Sequence, residues 1–336
     1  MYHIFGHTSP DTDAFASAFV MAYYLNAQDI HATAYRLGKP NPETAFMIEH
    51  LSNWFADEMY RLDNDLLPYL DPNNPLTTLT KGDKIGLTDH NEQTQSIANL
   101  FDFDICFIID HHKLNLSTPT TAYVRIAPVG CTCTILYEML VQKSITITPF
   151  IATLMLFAII SDTLNLTGPT TTDDDKYVLK KLLKIIGLSK NDQDKLAEQM
   201  FLAKSNIHHL SAREILLMDY KEYNFGDKKW GIAGIETMDI SQILARCDEL
   251  AQMAHTLQKQ KNLDHFMVAI ANIKDKIGYA LTHDAKQDAI ISKVFNAVPK
   301  NGLFILDGIV SRKKQIVPLL ENHYHHSSKK YLTSEQ

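Results

Sequence analysis

Cysteine is scarce: Cys106, Cys131, Cys133 and Cys247 are the only four in 336 residues. That is too few for a disulfide-framed secreted fold, and their mostly apolar surroundings point to a reduced, cytoplasmic chain. The Cys131–Cys133 pair reads as core packing, because C-x-C on a helix turns its two side chains apart. Positive charge is short too, with 32 Lys and Arg against 39 Asp and Glu and a formal net charge of -7. This balance argues against nucleic acid or an anionic membrane as the main partner. Long hydrophobic runs are missing. The greasiest stretch, FIATLMLFAII at 150–160, is too short to span a bilayer and reads as a buried helix. The N-terminus lacks the basic and apolar succession of a secretory leader. There is no internal repeat and no low-complexity segment.

What is present is an ordinary globular composition, 45% apolar and 21% charged, long enough for two domains with separate cores. Strand-like runs at 2–6, 31–37, 84–88, 105–110 and 121–127 alternate with helical stretches at 12–27, 43–54, 93–100 and 130–142. Strands separated by helices of this length predict an α/β fold with a parallel sheet. Two mostly helical stretches follow, 149–160 and 173–203. From about 206 the pattern changes to four strands, 228–237, 265–273, 276–283 and 302–310, with a long helix at 239–261. This reads as a second, smaller α+β domain joined near 202–206. The expected division is 1–203, 206–320 and a polar, frayed tail at 321–336.

The informative feature is where the acids and histidines fall. GHTSPDTD follows the first strand and holds His7, Asp11 and Asp13 in a turn shaped by Gly6 and Pro10. Asp13 also stands at a helix N-terminus, where the dipole favours an anion. LTDHNE supplies Asp89 and His90, and IIDHHK supplies Asp110, His111 and His112. A further carboxylate, Asp162, ends the most apolar segment. Each taken singly reads as a turn or cap residue. Together they crowd the carboxyl edge of one sheet, where open α/β sheets bind ligands. Four carboxylates (Asp11, Asp13, Asp89 and Asp162) are balanced by two divalent ions, whereas one ion leaves a pocket hostile to phosphate. A carboxylate such as Asp89 can bridge two ions roughly 3.5–4 Å apart. Mixed imidazole and carboxylate donors favour Mn²⁺ or a later transition ion over Mg²⁺. By contrast, the acids of TTTDDDK at 170–176 read as the capping turn of the following helix.

These motifs resemble those of the DHH phosphoesterase superfamily, and SRKKQIVPLL at 311–320 is similar to the C-terminal signature of family II inorganic pyrophosphatases. The likeness runs in order along nearly the whole chain. It implies a parallel-sheet DHH domain followed by a smaller DHHA2-type α+β domain that binds substrate. It further implies His7, Asp11, Asp13, Asp89, His111 and Asp162 as metal ligands, with Asp89 bridging and catalytic. His112 then positions or protonates the substrate, while Lys221, Arg312 and Lys313 bind phosphate. His90 and Asp110 serve to orient ligands. The implied reaction is hydrolysis of pyrophosphate to two orthophosphates by a metal-bridging hydroxide. The implied cofactor is Mn²⁺, two or more per subunit, with Co²⁺ or Mg²⁺ as substitutes. Family members are typically homodimers.

Pyrophosphate brings three to four negative charges, so the basic turn at 312–313 is expected to act by closing the second domain onto the metals. Arg312 can grip phosphate through paired hydrogen bonds, and the lysines act as point charges. Lys204, near the linker, competes with Lys221 for its role. The tail carries His323, His325 and His326, read as a frayed or oligomer-contacting end. Rival functions are a short-chain exopolyphosphatase or oligonucleotide phosphodiesterase of the same superfamily, and a non-catalytic metal or phosphate sensor. The nucleotide-cleaving relatives carry a glycine-rich, His-containing motif that 206–336 lacks, and the intact ligand set favours an enzyme.

Overall fold

A four-residue strand, β1 (Tyr2–Phe5), opens the chain, and the turn after it enters α1 (Thr12–Asn26) so closely that only glycine fits. A Cβ on Gly6 would lie 2.5 Å from the Ala14 carbonyl oxygen. The structure, a computed structural model, describes residues 1–62, 65–207, 210–300 and 302–332, with side chains as far as His325. It divides into two compact units, 1–203 and 204–336.

In the first unit there follow β2 (Ala32–Tyr35), α2 (Pro42–Trp54), α3 (Ala56–Arg61), β3 (Lys84–Thr88), β4 (Asp104–Asp110) and β5 (Tyr123–Ile126). Four helices close it: α4 (Thr132–Gln142), α5 (Pro149–Asp162), α6 (Asp173–Ile186) and α7 (Lys190–Ser205), whose last turn crosses the boundary. The five strands run parallel in the order β2-β1-β3-β4-β5. This is the sheet the strand and helix alternation predicts. Every residue of α5 from Phe150 to Ser161 is buried, and the helix packs against α1 and α6. Its uniform greasiness is that of a core helix. The expected helix at 93–100 is instead two short 3₁₀ turns, Gln93–Gln95 and Leu100–Asp102. The helical stretch at 173–203 is broken at Gly187, which caps α6 in the left-handed conformation with φ 82°. As expected, Thr172 caps α6, with Asp175 completing a capping box.

The second unit contains α8 (Ala212–Met218), β6 (Tyr220–Phe225), β7 (Lys228–Thr237), α9 (Ile240–Leu244), α10 (Cys247–Gln260), β8 (His265–Asn272), β9 (Ile277–Leu281), α11 (Ala285–Phe295), β10 (Leu303–Asp307) and α12 (Val317–Leu332). Its mixed sheet runs β10-β9-β8-β7-β6, with β7 and β8 parallel and the other pairs antiparallel. One apolar cluster built on Leu216, Leu250 and Phe266 and another on Trp230, Met267 and Phe304 are its two cores. The tail expectation is corrected here. Backbone helix continues through Leu332, and Tyr324 anchors its first half by accepting a hydrogen bond from the Trp230 indole at 3.2 Å. The His326 side chain and residues 333–336 lie outside the described residues. No helix among the described residues is long and apolar enough to cross a membrane.

Candidate metal centre

β1, β3 and β4 all end at the same sheet edge, and each delivers its acid or histidine as the strand stops. Asp11 is the N-cap of α1, taking the Ala14 N–H at 2.9 Å, yet its other oxygen lies 3.5 Å from His7 Nε2. Capping and cluster membership are therefore not alternatives. Asp89 sits just beyond β3 with φ 57°, a left-handed conformation uncommon outside glycine but one that aspartate tolerates better than most residues. That backbone setting turns its carboxylate inward. Oδ2 faces His7 Nε2 at 3.4 Å, and Oδ1 faces His111 Nε2 at 3.3 Å.

Four sets of donor atoms result among the described residues, each with its members within 4.8 Å of one another; Asp89, His111 and His112 form one, Asp13 with Cys131 and Cys133 another, and two are built on carboxylates and ligand imidazoles. Of these last two, one is His7, Asp11 and Asp89; the other is Asp13, Asp89, His111 and Asp162. Asp89 alone belongs to both. Asp162 reaches the cluster from the C-terminal end of the buried helix α5 instead of a strand tip, 3.6 Å from His111 Nε2. His111 Nδ1 bonds to the Val129 carbonyl at 3.0 Å, which assigns the proton to Nδ1 and leaves Nε2 as a donor atom for an ion. His112 is held differently. Its Nδ1 lies 2.7 Å from Asp110 Oδ1, so its Nε2 is the nitrogen left for other work.

The electrostatics are one-sided. Asp13 and Asp89 are at most 1% exposed, and among the described residues no lysine or arginine pairs with Asp11, Asp13 or Asp89. Burial works against charge on His7, but Asp11 and Asp89 overcome it and carry its pKa to about 10. Burial and the neighbouring Asp89 push Asp13 up to about 7. Burial opposes ionisation of Asp89 as well, but the neighbouring His111, His7 and His112 imidazoles hold it well below the usual carboxylate range. Buried at 4% exposure, His7 Nε2 finds no well-formed hydrogen bond. An orphaned imidazole nitrogen between two carboxylates is the environment of a metal ligand, and the residues present fit divalent ions.

His90 and Asp110 stand behind the donors. His90 is 2% exposed, bonds to the Thr88 carbonyl and Ser96 hydroxyl, and is kept neutral by burial, its pKa lowered to about 4. Asp110 accepts from the backbone N–H groups of His111 and His112, from the His112 ring and from Asn91 Nδ2 at 2.6 Å. Asn91 also receives the Asn115 N–H. Sequence reasoning missed Asn91 and Thr132. Thr132 donates its hydroxyl to Asp89 Oδ1 at 3.1 Å and its N–H to Asp13 Oδ2 at 2.6 Å, across more than 40 and 110 residues. Asn91 could have been found as the next letter of the DHN run, whereas nothing local marks Thr132.

In the second unit, Arg312 does not project from a strand end. It opens a tight turn, Arg312–Ile316, that leads into α12. Its guanidinium is engaged by the Asp219 carboxylate at 2.6 Å and by the carbonyls of Asp219 and Ile232 at 2.7 and 3.2 Å. Gly234 permits this approach, because a Cβ there would fall 2.5 Å from Asp219 Oδ2. Lys221 lies on β6, one of the positive charges that Asp219 feels after that of Arg312. Lys313 follows in the same turn. Lys204, the competitor for Lys221, bonds to Glu236.

The chain matches the DHH family, N-terminal domain, over residues 2–159 and the DHHA2 domain over residues 198–323. A parallel-sheet unit with clustered acids and histidines at its edge, followed by a mixed-sheet unit, is thus a DHH–DHHA2 protein. It is 36% identical over 320 residues to the manganese-dependent inorganic pyrophosphatase of Bacillus subtilis, covering 94% of this chain and 96% of that protein. The enzyme of the same description from Methanocaldococcus jannaschii is 33% identical over 332 residues, with 96% and 99% covered. A crystal structure of a Methanococcus jannaschii protein assigned to the family II inorganic pyrophosphatases superposes with a TM-score of 0.82 at 33% identity, covering 97% of this chain and all of that one. The chain belongs to the family of manganese-dependent, family II inorganic pyrophosphatases.

Proposed function

We propose that this protein hydrolyses inorganic pyrophosphate to two orthophosphates with manganese as its cofactor. The observation that carries the reading is Asp89, whose two oxygens face two different histidines in two donor sets that share no other residue. His7, Asp11 and Asp89 form one ion site, and Asp13, Asp89, His111 and Asp162 form the other. Co²⁺ or Mg²⁺ can substitute, given the oxygen-rich donor set. Ions bound there lower the pKa of an intervening water and draw charge from a phosphoryl oxygen.

The protein's own contribution is orientation and proton handling. Val129 and Asp110 each take the Nδ1 proton of one ring, so that His111 and His112 both turn Nε2 into the site, His111 toward an ion and His112, when it is protonated on both nitrogens beside the Asp110 carboxylate, toward the substrate. His112 then protonates, or donates a hydrogen bond to, the oxygen of the leaving phosphate. Lys221 and Lys313 offset the charge of the substrate, and Arg312 adds to them with the guanidinium hydrogens that Asp219 and the Ile232 carbonyl leave over. In this reading residues 1–203 are the catalytic domain, 206–320 bind substrate, and 321–336 are an accessory tail. The enzyme acts in the cytoplasm as a homodimer. Support for the dimer comes from β5, an edge strand that leaves Tyr123 half exposed and Val124 exposed on an unpaired side.

Phosphate release from chelator-stripped, Mn²⁺-reloaded protein tests this directly, with pyrophosphate, tripolyphosphate and a dinucleotide compared at equal concentration. Fast Mn²⁺-dependent release from pyrophosphate alone is the expected result. A preference for either other substrate would move the function to a sister family, and no turnover with metal bound would make the protein a sensor. Sedimentation at working concentration checks the dimer.

A further inference from the structure

The C-x-C pair does not turn apart. Cys131 is the N-cap of α4 and lies outside the helix, with φ -151° and ψ 140°, whereas Cys133 lies within its first turn. Helical spacing therefore does not govern the pair. Both Sγ atoms and an Asp13 oxygen lie within 4.8 Å of one another, and all three residues are fully buried. Asp13 is locked there by the N–H groups of Thr132 at 2.6 Å and Cys133 at 3.2 Å. Two sulfurs bound to one tetrahedral ion with metal–sulfur bonds near 2.3 Å stand about 3.8 Å apart, within the observed spacing.

This donor set differs in kind from the one beside it. The proposed manganese ligands are carboxylates and imidazoles, and sulfur is absent from those two sets. Thiolates select softer cations. The other two cysteines, Cys106 and Cys247, are free and belong to no such group among the described residues.

We propose that Cys131, Cys133 and Asp13 form a site for a thiophilic divalent cation of the cadmium and zinc class, which competes with the manganese centre for Asp13. The ion would take two thiolates and one carboxylate oxygen. Two thiol protons pass to solvent, and no redox change occurs. Because Asp13 also belongs to the set with Asp89, His111 and Asp162, occupancy by the softer ion weakens that set. The site itself does not depend on the pyrophosphatase reading; only its effect on turnover does.

The test is Cd²⁺ titration of the full-length, Mn²⁺-loaded protein, read by the ultraviolet thiolate-to-cadmium charge-transfer band and by manganese released to a filtrate. The wild type is expected to show a band that saturates at one equivalent, with loss of manganese and of turnover. Cys133→Ala and, separately, Cys131→Ser should lower cadmium affinity at least about tenfold, the low end of what disturbing a metal's protein shell costs. Cadmium affinity and manganese release, not turnover, are the readouts for both variants, because Cys133 also holds Asp13. Circular dichroism and manganese stoichiometry establish that each variant is folded. An unchanged band in both variants would place the cadmium on Cys106 or Cys247 and overturn the proposal. Absence of any band in the wild type would overturn it equally. A band without manganese release would refute the competition for Asp13. If the protein proves inactive on pyrophosphate, the band and the manganese release still decide the site.

Discussion

Asp89 and Asp219 are both aspartates in polar clusters, and their surroundings are opposite to what simple electrostatics predicts. Asp219 has an arginine 2.6 Å away, yet its side chain is 52% exposed. Asp89 has no lysine or arginine among the described residues, yet its side chain is 2% exposed. Burying an unpaired carboxylate is costly, whereas an ion pair with one partner in water is worth little either way. The second unit completes its charges internally. The first gathers buried carboxylates and imidazoles, with no lysine or arginine among the described residues to offset Asp13 and Asp89, a donor set that fits divalent ions. A metalloenzyme centre differs in this way from a structural ion pair.

Removing the metal should separate the two regions most sharply. Chelation is expected to abolish turnover and to increase amide exchange in β3 and β4 while leaving β7 and β8 as protected as before. At a hundredfold excess over Kd, the lost stabilisation is about 2.7 kcal/mol. Equal deprotection of both sheets would break the comparison.

Asp89→Asn should come next, lowering turnover by more than the roughly 100-fold that bounds the loss of an outer partner of a metal ligand. Manganese stoichiometry should fall with it. His112→Gln is expected to cost about 10²- to 10⁴-fold in turnover, the range for a general acid, with manganese stoichiometry unchanged. Equal metal loss from the two variants would show that the roles are wrongly divided. Arg312→Lys keeps the charge but loses the planar fork, so KM for pyrophosphate should rise about tenfold, with kcat and metal content nearly constant.

The smallest effect concerns pH. Burial lowers the pKa of His265 and His283 in the second unit below 6.5. Between that depressed value and 6.5 the unfolded chain binds more protons than the folded one. Their contribution is therefore complete above pH 6.5 and declines as the pH falls through that window. From pH 7 to pH 5.5 the urea midpoint of His283→Gln should fall less, or rise more, than that of the wild type, the other titrating groups being common to both. Equal changes in the two proteins would contradict the assignment.

Much of this was legible because strand-tip acids are a local pattern. GHTSPDTD, LTDHNE and IIDHHK each place donors within a few residues of a strand end, and the alternation of strands and helices predicts that those ends meet. The contacts that tune the donors were not legible. Thr132 reaches Asp13 from 119 positions away, and no periodicity encodes that distance. Asp162 was read correctly as a member of the cluster, but its helix had to be seen to know how it gets there. Both cysteines are core residues, as C-x-C predicts, but the expectation that they turn apart fails because Cys131 is a cap, and boundaries are where sequence patterns are weakest. The polar alternation of β6, YKEYNF, hid a strand whose residues are mostly half-buried. The polar tail hid a helix held to the second unit by Val317, Leu320 and Tyr324.

Electron paramagnetic resonance of the manganese-loaded protein, with metal analysis of the same sample, tests the central claim most directly. Asp89 bridging two ions predicts two manganese ions per chain with an exchange-coupled signal, lost in Asp89→Asn. One ion per chain, or two uncoupled ions unaffected by that substitution, would contradict it.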